Sequence, residues 1–215
     1  MDSINLYKEK FKKALLELNR LEVTSILEQV KGYQDKTNFV EDILVPVLEE
    51  IGDGWEDGTV ALSQVYISGR ICEELIEVLY PQTHDEANDK PTIAIVTYDD
   101  FHPLGKKIVY STLKASGVYL LDYGFGVDDQ ELIKRIERDN IEILIMSVLM
   151  LPTVFKIKDF KNKLRASGLD TKILVGGAPF RFDSELWKML EVDAMARTPI
   201  DTLNIIKQWE ETSDE

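Results

Sequence analysis

The sequence is poor in cysteine and histidine and contains no long apolar run. Its 215 residues include one cysteine, Cys72, and two histidines, His84 and His102. A single cysteine excludes a disulfide framework and a cysteine-based zinc site, and it fits a reducing compartment, so we expect a cytoplasmic protein. No segment approaches the roughly 18 consecutive apolar residues that a membrane-spanning helix needs, so we expect no association with a membrane.

Basic residues are also scarce relative to acidic ones. The chain has 25 Lys and Arg residues against 39 Asp and Glu residues, which gives a formal net charge of -14. Such a surface repels phosphate backbones, so nucleic acid is not expected as a partner. We interpret the charge mainly as a contribution to solubility, and the alternative is a docking face for a basic partner protein.

Helical periodicity dominates the first 80 residues. Apolar residues recur at helical spacing over residues 4–18, 24–30, 39–51 and 61–80. Pro46 is expected to kink the third helix, and the GDGWEDG stretch (52–58) is predicted to be a turn. Short connections favour a four-helix bundle over residues 1–80. The polar stretch 81–91 carries a proline at each end and is predicted to be a linker.

From residue 92 onwards the pattern changes to apolar runs that alternate with helical stretches. The predicted strands are 92–98, 119–123, 141–149, 172–177 and 193–196. The predicted helices are 105–116, 129–139, 154–167 and 199–210. Continuous apolar strands indicate a parallel sheet covered on both faces. Five strands favour a flavodoxin-like, doubly wound α/β domain over residues 92–215, whose ligand binds beyond the carboxyl ends of the strands.

Three short motifs lie where such a ligand is expected. They are Asp-x-His-x-x-Gly (100–105) after the first strand, Ser-x-Leu (147–149) at the third and Gly-Gly (176–177) at the fourth. His102 can present an imidazole nitrogen to a transition metal, and Asp100 can hold the other ring nitrogen. Ser147 is expected to extend that relay. Each motif alone has a simpler explanation, respectively a helix cap, a core hydroxyl and a turn.

Together these motifs resemble those of the cobalamin-binding domain family. The stretches KKIVYSTLKASGVYLLDYG and KILVGGAP are similar to the helix, second strand and tail-slot strand of that family. The stretch EEIGDGWEDGTVALSQVYISGRI resembles the family's helical cap. In length and domain order the chain resembles the small corrinoid methyl-carrier proteins. The resemblance implies a cap domain over residues 1–80 and a cobalamin-binding, Rossmann-like domain over residues 92–215.

The resemblance also implies how the cofactor is bound. A histidine replaces the cofactor's own dimethylbenzimidazole below the cobalt, which makes His102 the metal ligand, with Asp100 and Ser147 as its hydrogen-bond relay. The displaced nucleotide tail is implied to enter a slot lined by Gly105, Ser147, Leu149, Gly176 and Gly177. Trp55 is either an aromatic lid over the upper corrin face or a core or bundle-edge tryptophan.

Three positions depart from the family's pattern. Asp99 stands where the family usually has glycine, and Pro103 stands where it often has an acidic residue. Leu151 lies where a threonine is common. We expect the structure to differ most from the family at Asp99 and Pro103.

The implied function is that of a non-autonomous corrinoid subunit, which carries a methyl group between partner methyltransferases. A substrate-specific methyltransferase loads the group, a methyl-acceptor methyltransferase removes it, and a reductive activator is a further candidate partner. Two alternatives stay open, a cobalamin-dependent sensor and a cobalamin-free, flavodoxin-like interaction module. Sensors of this family carry Glu-His after the cap tryptophan, whereas this chain has Gln64-Val65-Tyr66 there and no histidine before His84, which favours the methyl carrier.

Overall fold

The computed structural model describes residues 2–31, 36–79, 92–183 and 185–211. The chain divides into two compact units, Met1–Gln82 and Thr83–Glu215. The predicted linker (81–91) lies outside the described residues, so the domain boundaries given above stay predictions. Among the described helices, none combines the length and the apolar character that a membrane crossing requires.

The first unit is helical, as the periodicity predicts. Its elements are α1 (Asp2–Leu16), α2 (Arg20–Lys31), α3 (Lys36–Phe39), a π-helical segment (Val40–Leu44), α4 (Val45–Glu56) and α5 (Leu62–Leu79). The rings of Phe11 and Phe39 meet edge-on in its core, with centroids 5.5 Å apart. Cys72 is fully buried there, and burial raises the pKa of its thiol, so it is an unreactive core residue.

The helix around Pro46 widens where the sequence predicts a kink. The Val45 amide donates to the Val40 carbonyl, five residues back, which defines the π-helical segment. In a regular α-helix the proline ring collides with the carbonyl four residues earlier. A wider turn directly before Pro46 moves that carbonyl aside, so α3, the π-helical segment and α4 follow one another without a break.

The prediction of a turn over the whole of residues 52–58 is wrong, because α4 continues to Glu56. Two glycines are therefore helical. At Gly54 the reason is close packing, since a Cβ there would lie 2.7 Å from Cγ2 of Val60, where the chain folds back on the helix. The glycine at position 54 is explained by that contact, and only the last residues of the stretch form the turn.

The second unit is the predicted α/β domain. Its elements are β1 (Ile93–Tyr98), α6 (Leu104–Ala115), β2 (Leu121–Val127), α7 (Asp129–Asp139), β3 (Ile143–Ser147), α8 (Leu151–Val154), α9 (Lys156–Ala166), β4 (Lys172–Gly176), α10 (Ala178–Phe182), α11 (Leu186–Met189), β5 (Ala194–Ala196) and α12 (Pro199–Glu211). The strands are parallel and pair in the order β2-β1-β3-β4-β5. This is the flavodoxin-like order, so the predicted fold class is confirmed.

Both faces of the sheet are covered by helices. Ala94 and Val96 of β1 belong to an apolar cluster completed by side chains of α7 and α9. Ile93 and Ile95 belong to a second cluster, completed by α6 and α12. Every residue of β1 is buried, which explains why the strand is apolar along its whole length instead of alternating.

Several elements differ from the sequence prediction. β2 runs to Val127 instead of ending at residue 123, and its pairing with β1 is irregular on either side of Thr97. Gly124 has a φ of 81° within that irregular stretch, which lets the strand continue past the point where its apolar pattern fades. The helix predicted over 154–167 corresponds to α9 (Lys156–Ala166), and the sequence pattern does not predict the short helices α8, α10 and α11.

Gly177, directly after β4, allows the ends of β3 and β4 to pack closely. The Val148 amide donates to the Gly176 carbonyl at 2.9 Å, which extends the ladder between the two strands. Gly177 has a φ of 124°, and a Cβ there would lie 1.9 Å from the Val148 carbonyl oxygen. Both the backbone conformation and the available space therefore require glycine.

We expect Gly177→Ala to lower the free energy of unfolding by about 3 kcal/mol, because strain and collision add. Gly168→Ala is the matched control, since Gly168 also has a positive φ, 76°, but open space around its Cβ position. The control should cost about 1 kcal/mol. Urea unfolding of the two variants measures the difference, and equal losses would contradict the packing argument.

Candidate functional site

The loop between β1 and α6 brings Asp100 and His102 together. Asp100 Oδ1 lies 2.5 Å from His102 Nδ1. The Asp100 side chain is 1% exposed, whereas the His102 side chain is 52% exposed. A buried carboxylate thus holds one edge of an exposed imidazole. In the part of the chain that the structure describes, no hydrogen bond involves the other ring nitrogen, Nε2.

Asp100 also joins two loops of the sheet. Oδ1 accepts hydrogen bonds from the amides of Phe101 and His102 at 2.6 and 3.1 Å. Oδ2 accepts from the amides of Leu149 and Met150 at 3.1 and 3.3 Å. Since those two amides follow β3, a single carboxylate fixes the loop after β1 to the loop after β3. Asp100 is therefore an anchor of the site and not the cap of α6, which begins at residue 104.

The environment of Asp100 favours its charged form. Burial opposes ionisation, but the bonds from His102 and from the Leu149 amide outweigh it, and the pKa of Asp100 is held below its ordinary value. An ionised carboxylate only accepts hydrogen bonds, so His102 Nδ1 carries the hydrogen. In the neutral ring, Nε2 then has the free lone pair with which imidazole binds metal ions.

The predicted relay through Ser147 is replaced by a different arrangement. The Asp100 oxygen that faces β3 is bonded to the two backbone amides, and no bond to the Ser147 hydroxyl occurs among the described residues. Ser147 Oγ instead lies 3.1 Å from the position of a Cβ on Gly105. Ser147 and Gly105 are therefore neighbours between β3 and α6, but Ser147 is not part of the His102 relay.

The other predicted slot residues lie at the same edge of the sheet. Gly176 is paired in register with Ser147 across β3 and β4, and Gly177 follows it. A Cβ on Gly176 would lie 3.1 Å from the Ala196 carbonyl oxygen, so close packing within the protein already accounts for glycine at both positions. Leu149 is 45% exposed beside them.

Trp55 belongs to the first unit. It is in the last turn of α4 and is 48% exposed, which fits a bundle-edge position and excludes a core position. Its assignment as a lid stays a prediction.

The three positions that depart from the family's pattern have clear local roles. Asp99 has a φ of 45°, in the left-handed region that glycine adopts most easily, which explains the family's preference for glycine there. Its carboxylate pairs with Lys156, and its carbonyl accepts from the Thr153 hydroxyl at 3.3 Å. Pro103 is buried directly before α6, and Leu151 begins α8.

An aromatic pair next to His102 is not predicted from the sequence. Phe101 and Phe125 are 72% and 52% exposed, and their ring centroids are 6.1 Å apart. The Phe101 ring covers Gly126, where a Cβ would lie 2.6 Å from it. The Gly126 amide donates to the Asp100 carbonyl at 3.1 Å. Phe101 follows β1 and Phe125 lies within β2, so only the apolar type of each residue could have indicated the pair.

The donor set restricts which metal species the site can hold. Within the described residues, no three His, Cys, Asp or Glu side chains are grouped to bind a metal ion. A lone imidazole does not retain a free ion, but it suits a metal whose other positions are filled by a macrocycle. An exposed His102 on a buried Asp100 therefore fits a cobalt corrinoid.

Two family models match this chain. Residues 91–204 match a model described as a B12 binding domain. Residues 7–80 match a second model with the same description. The chain belongs to the B12-binding domain family. Its cofactor is therefore a cobalamin, in agreement with the resemblance of its motifs.

Individual relatives agree with this assignment. The B12-binding chain is 30% identical over 178 residues to monomethylamine corrinoid protein 1 of Methanosarcina mazei, which covers 76% of this chain and 80% of the relative. The solved monomethylamine corrinoid protein of Methanosarcina barkeri has the same fold, with a TM-score of 0.79 at 22% identity over 94% of this chain and 97% of that one. The methanol:cobalamin methyltransferase complex of Methanosarcina barkeri contains a chain with a TM-score of 0.51 at 20% identity, over 94% of this chain and 78% of that one.

We expect Asp100→Asn to lower the free energy of unfolding by about 2 kcal/mol, because the new NH₂ group must face backbone N–H donors in a buried site. Asp128→Asn is the matched control. Asp128 accepts from the Glu131 amide at 3.0 Å as the cap of α7, and asparagine caps equally well, so the change should be under roughly 0.5 kcal/mol. Urea unfolding measures both, and a loss at Asp128 as large as that at Asp100 would refute the anchor role.

Proposed function

We propose that this chain binds cobalamin with His102 as the lower ligand of cobalt and the cofactor's own base displaced, and that it carries a methyl group between partner methyltransferases. The observation that carries the proposal is the exposed His102 ring, held at Nδ1 by buried Asp100 at the carboxyl end of β1. That position is where an open parallel sheet binds its ligands.

The side chains are proposed to fix the orientation of the His102 ring and the position of its one proton. When bound, cobalamin supplies a metal centre that accepts a methyl group and gives it up again. Asp100 keeps the hydrogen on His102 Nδ1, and a carboxylate partner at that nitrogen makes Nε2 a better donor. Because backbone amides from two loops fix Asp100, the ring has a defined orientation before the cofactor arrives.

The displaced nucleotide tail is proposed to enter the slot between β3 and α6. The contact of Ser147 with Gly105 and its register with Gly176 support this placement, with Leu149 and Gly177 completing the slot. In the other unit, Trp55 is the proposed lid over the upper corrin face, and residues 81–91 are the proposed linker between cap and cobalamin-binding domain.

The methyl-carrier role is supported by the relatives. The identity of 30% is with a monomethylamine corrinoid protein, and a similar fold occurs in a methanol:cobalamin methyltransferase complex. We infer two partners, a substrate-specific methyltransferase and a methyl-acceptor methyltransferase, with a reductive activator as a third. No histidine precedes His84 in the chain, which argues against a sensor that uses a cap histidine.

The lower ligand is tested by electron paramagnetic resonance of the loaded protein. Protein labelled uniformly with ¹⁵N is loaded with unlabelled cobalamin, and the cobalt is reduced to Co(II). Ligation by His102 splits the signal into doublets, because ¹⁵N has spin one-half. Ligation by the cofactor's own ¹⁴N base gives triplets.

His102→Ala should abolish the doublets and weaken cobalamin binding by about tenfold or more. His84→Ala is the control that removes the other histidine, and it should leave both signal and affinity unchanged. Triplets from the unaltered protein, or doublets that survive in His102→Ala, would disprove the ligation.

The carrier role has its own test. Reduced, cobalamin-loaded protein is mixed with a methylamine- or methanol-specific methyltransferase and its methylated substrate, and the visible spectrum follows transfer of the methyl group to cobalt. We expect methylation with at least one of these enzymes and none with substrate alone. Intact ligation by His102 without methylation by any of them would exclude the carrier role in favour of a sensor.

A further inference from the structure

A buried threonine hydroxyl lies near the carboxyl end of β1. Thr97 is 0% exposed, and its Oγ1 has no hydrogen-bond partner among the described residues. Proteins rarely leave such a group unsatisfied, because its lost hydration is then uncompensated. The packing of the free protein therefore does not explain why a hydroxyl is buried at this position.

Thr97 belongs to a row of residues that crosses the sheet. In the parallel register, Thr97 of β1 lies opposite Ser147 of β3, and Ser147 lies opposite Gly176 of β4. Gly176 in turn lies opposite Ala196 of β5. Since partners in register share one face of a sheet, Thr97 projects on the same side as Ser147.

That side is the one covered by α6. Ile95 and Ile145, two residues before Thr97 and Ser147, belong to the apolar cluster completed by α6 and α12. Side chains two residues apart on a strand share a face. Ser147 also approaches Gly105 in the first turn of α6. The Thr97 hydroxyl is therefore aimed into the space between the sheet and α6, next to the Ser147 hydroxyl.

We propose that Thr97 is a further specificity-determining residue of the cobalamin site, whose hydroxyl hydrogen-bonds the cofactor's nucleotide tail. The inference rests on the proposed function, in which the tail enters the slot at Ser147. In this row Thr97 and Ser147 supply hydroxyls, whereas Gly176 and Ala196 supply almost no bulk. The tail carries a ring nitrogen that is released from cobalt, and once buried that nitrogen needs a donor.

This role of Thr97 predicts that one substitution has opposite effects on the free protein and on the cobalamin-loaded protein. Thr97→Val replaces the hydroxyl by a methyl group of similar shape. The free protein loses no hydrogen bond and no longer buries an unsatisfied oxygen, so its unfolding midpoint should stay equal or rise. The loaded protein loses a bond to the tail. A purely structural role of Thr97 would not give opposite effects on stability and on binding.

The test titrates the full chain with cobalamin and with cobinamide, a corrinoid that lacks the nucleotide tail. Thr97→Val should bind cobalamin about tenfold more weakly, the loss of one buried hydrogen bond, with binding of cobinamide unchanged. Thr97→Ser keeps the hydroxyl and should retain the cobalamin affinity of the unaltered chain, even if removal of the methyl group lowers stability.

Thr112→Val is the matched control. Thr112 lies in α6 and has a buried hydroxyl without a partner in the same described part of the chain, but it is two turns beyond Gly105. Its removal should leave the affinity for both corrinoids unchanged. The control thus shows whether loss of any buried hydroxyl near this core weakens binding.

The inference is overturned if the affinity of Thr97→Val for cobalamin is within twofold of that of the unaltered chain. It is also overturned if its affinity for cobinamide falls by the same factor as its affinity for cobalamin. Failure of the proposed function is seen separately, in the unaltered chain. If that chain does not bind cobalamin, or shows triplets from the cofactor's base, both proposals fail. If it shows ¹⁵N doublets and Thr97→Val has no effect, only the role of Thr97 fails.

Discussion

The proposed cobalamin site depends on one buried carboxylate, that of Asp100. Asp100 accepts hydrogen bonds from the His102 ring and from backbone amides of two loops, including those of Leu149 and Met150 after β3. All these partners donate, so the site requires an acceptor-only group, which an ionised aspartate provides and an amide does not. The same bonds hold the loop after β1 against the loop after β3, and thereby fix the exposed imidazole that presents Nε2.

The strand order brings together the two loops that Asp100 joins. In the order β2-β1-β3-β4-β5, β1 lies beside β3, and β3 lies beside β4. His102, Ser147 and Gly177 are far apart in the chain, but they lie at or just beyond the ends of neighbouring strands, at one edge of the sheet. Gly177 permits a backbone approach to Val148 that no other residue allows, so the edge is packed closely around the site.

Asp99 and Pro103, which depart from the family's pattern, are accommodated by their local surroundings. Asp99 keeps the left-handed conformation that glycine would adopt, and its pairing with Lys156 and the bond from Thr153 to its carbonyl hold it there. Short polar residues enter that conformation at lower cost than others. Pro103 occupies a position before α6 where its fixed φ is tolerated. Neither residue displaces Asp100 from its partners, so the bond between Asp100 and His102 is kept.

The sequence by itself determined the helical unit and the parallel sheet, because burial of apolar side chains leaves a periodic record in residue types. Only the tertiary structure decided which atoms meet there. The Leu149 and Met150 amides replace Ser147 as partners of Asp100, and the described part of the chain offers no partner to the Thr97 hydroxyl. Every residue except proline carries the same amide, and a hydrogen bond depends on backbone positions to a fraction of an ångström, which residue types do not record.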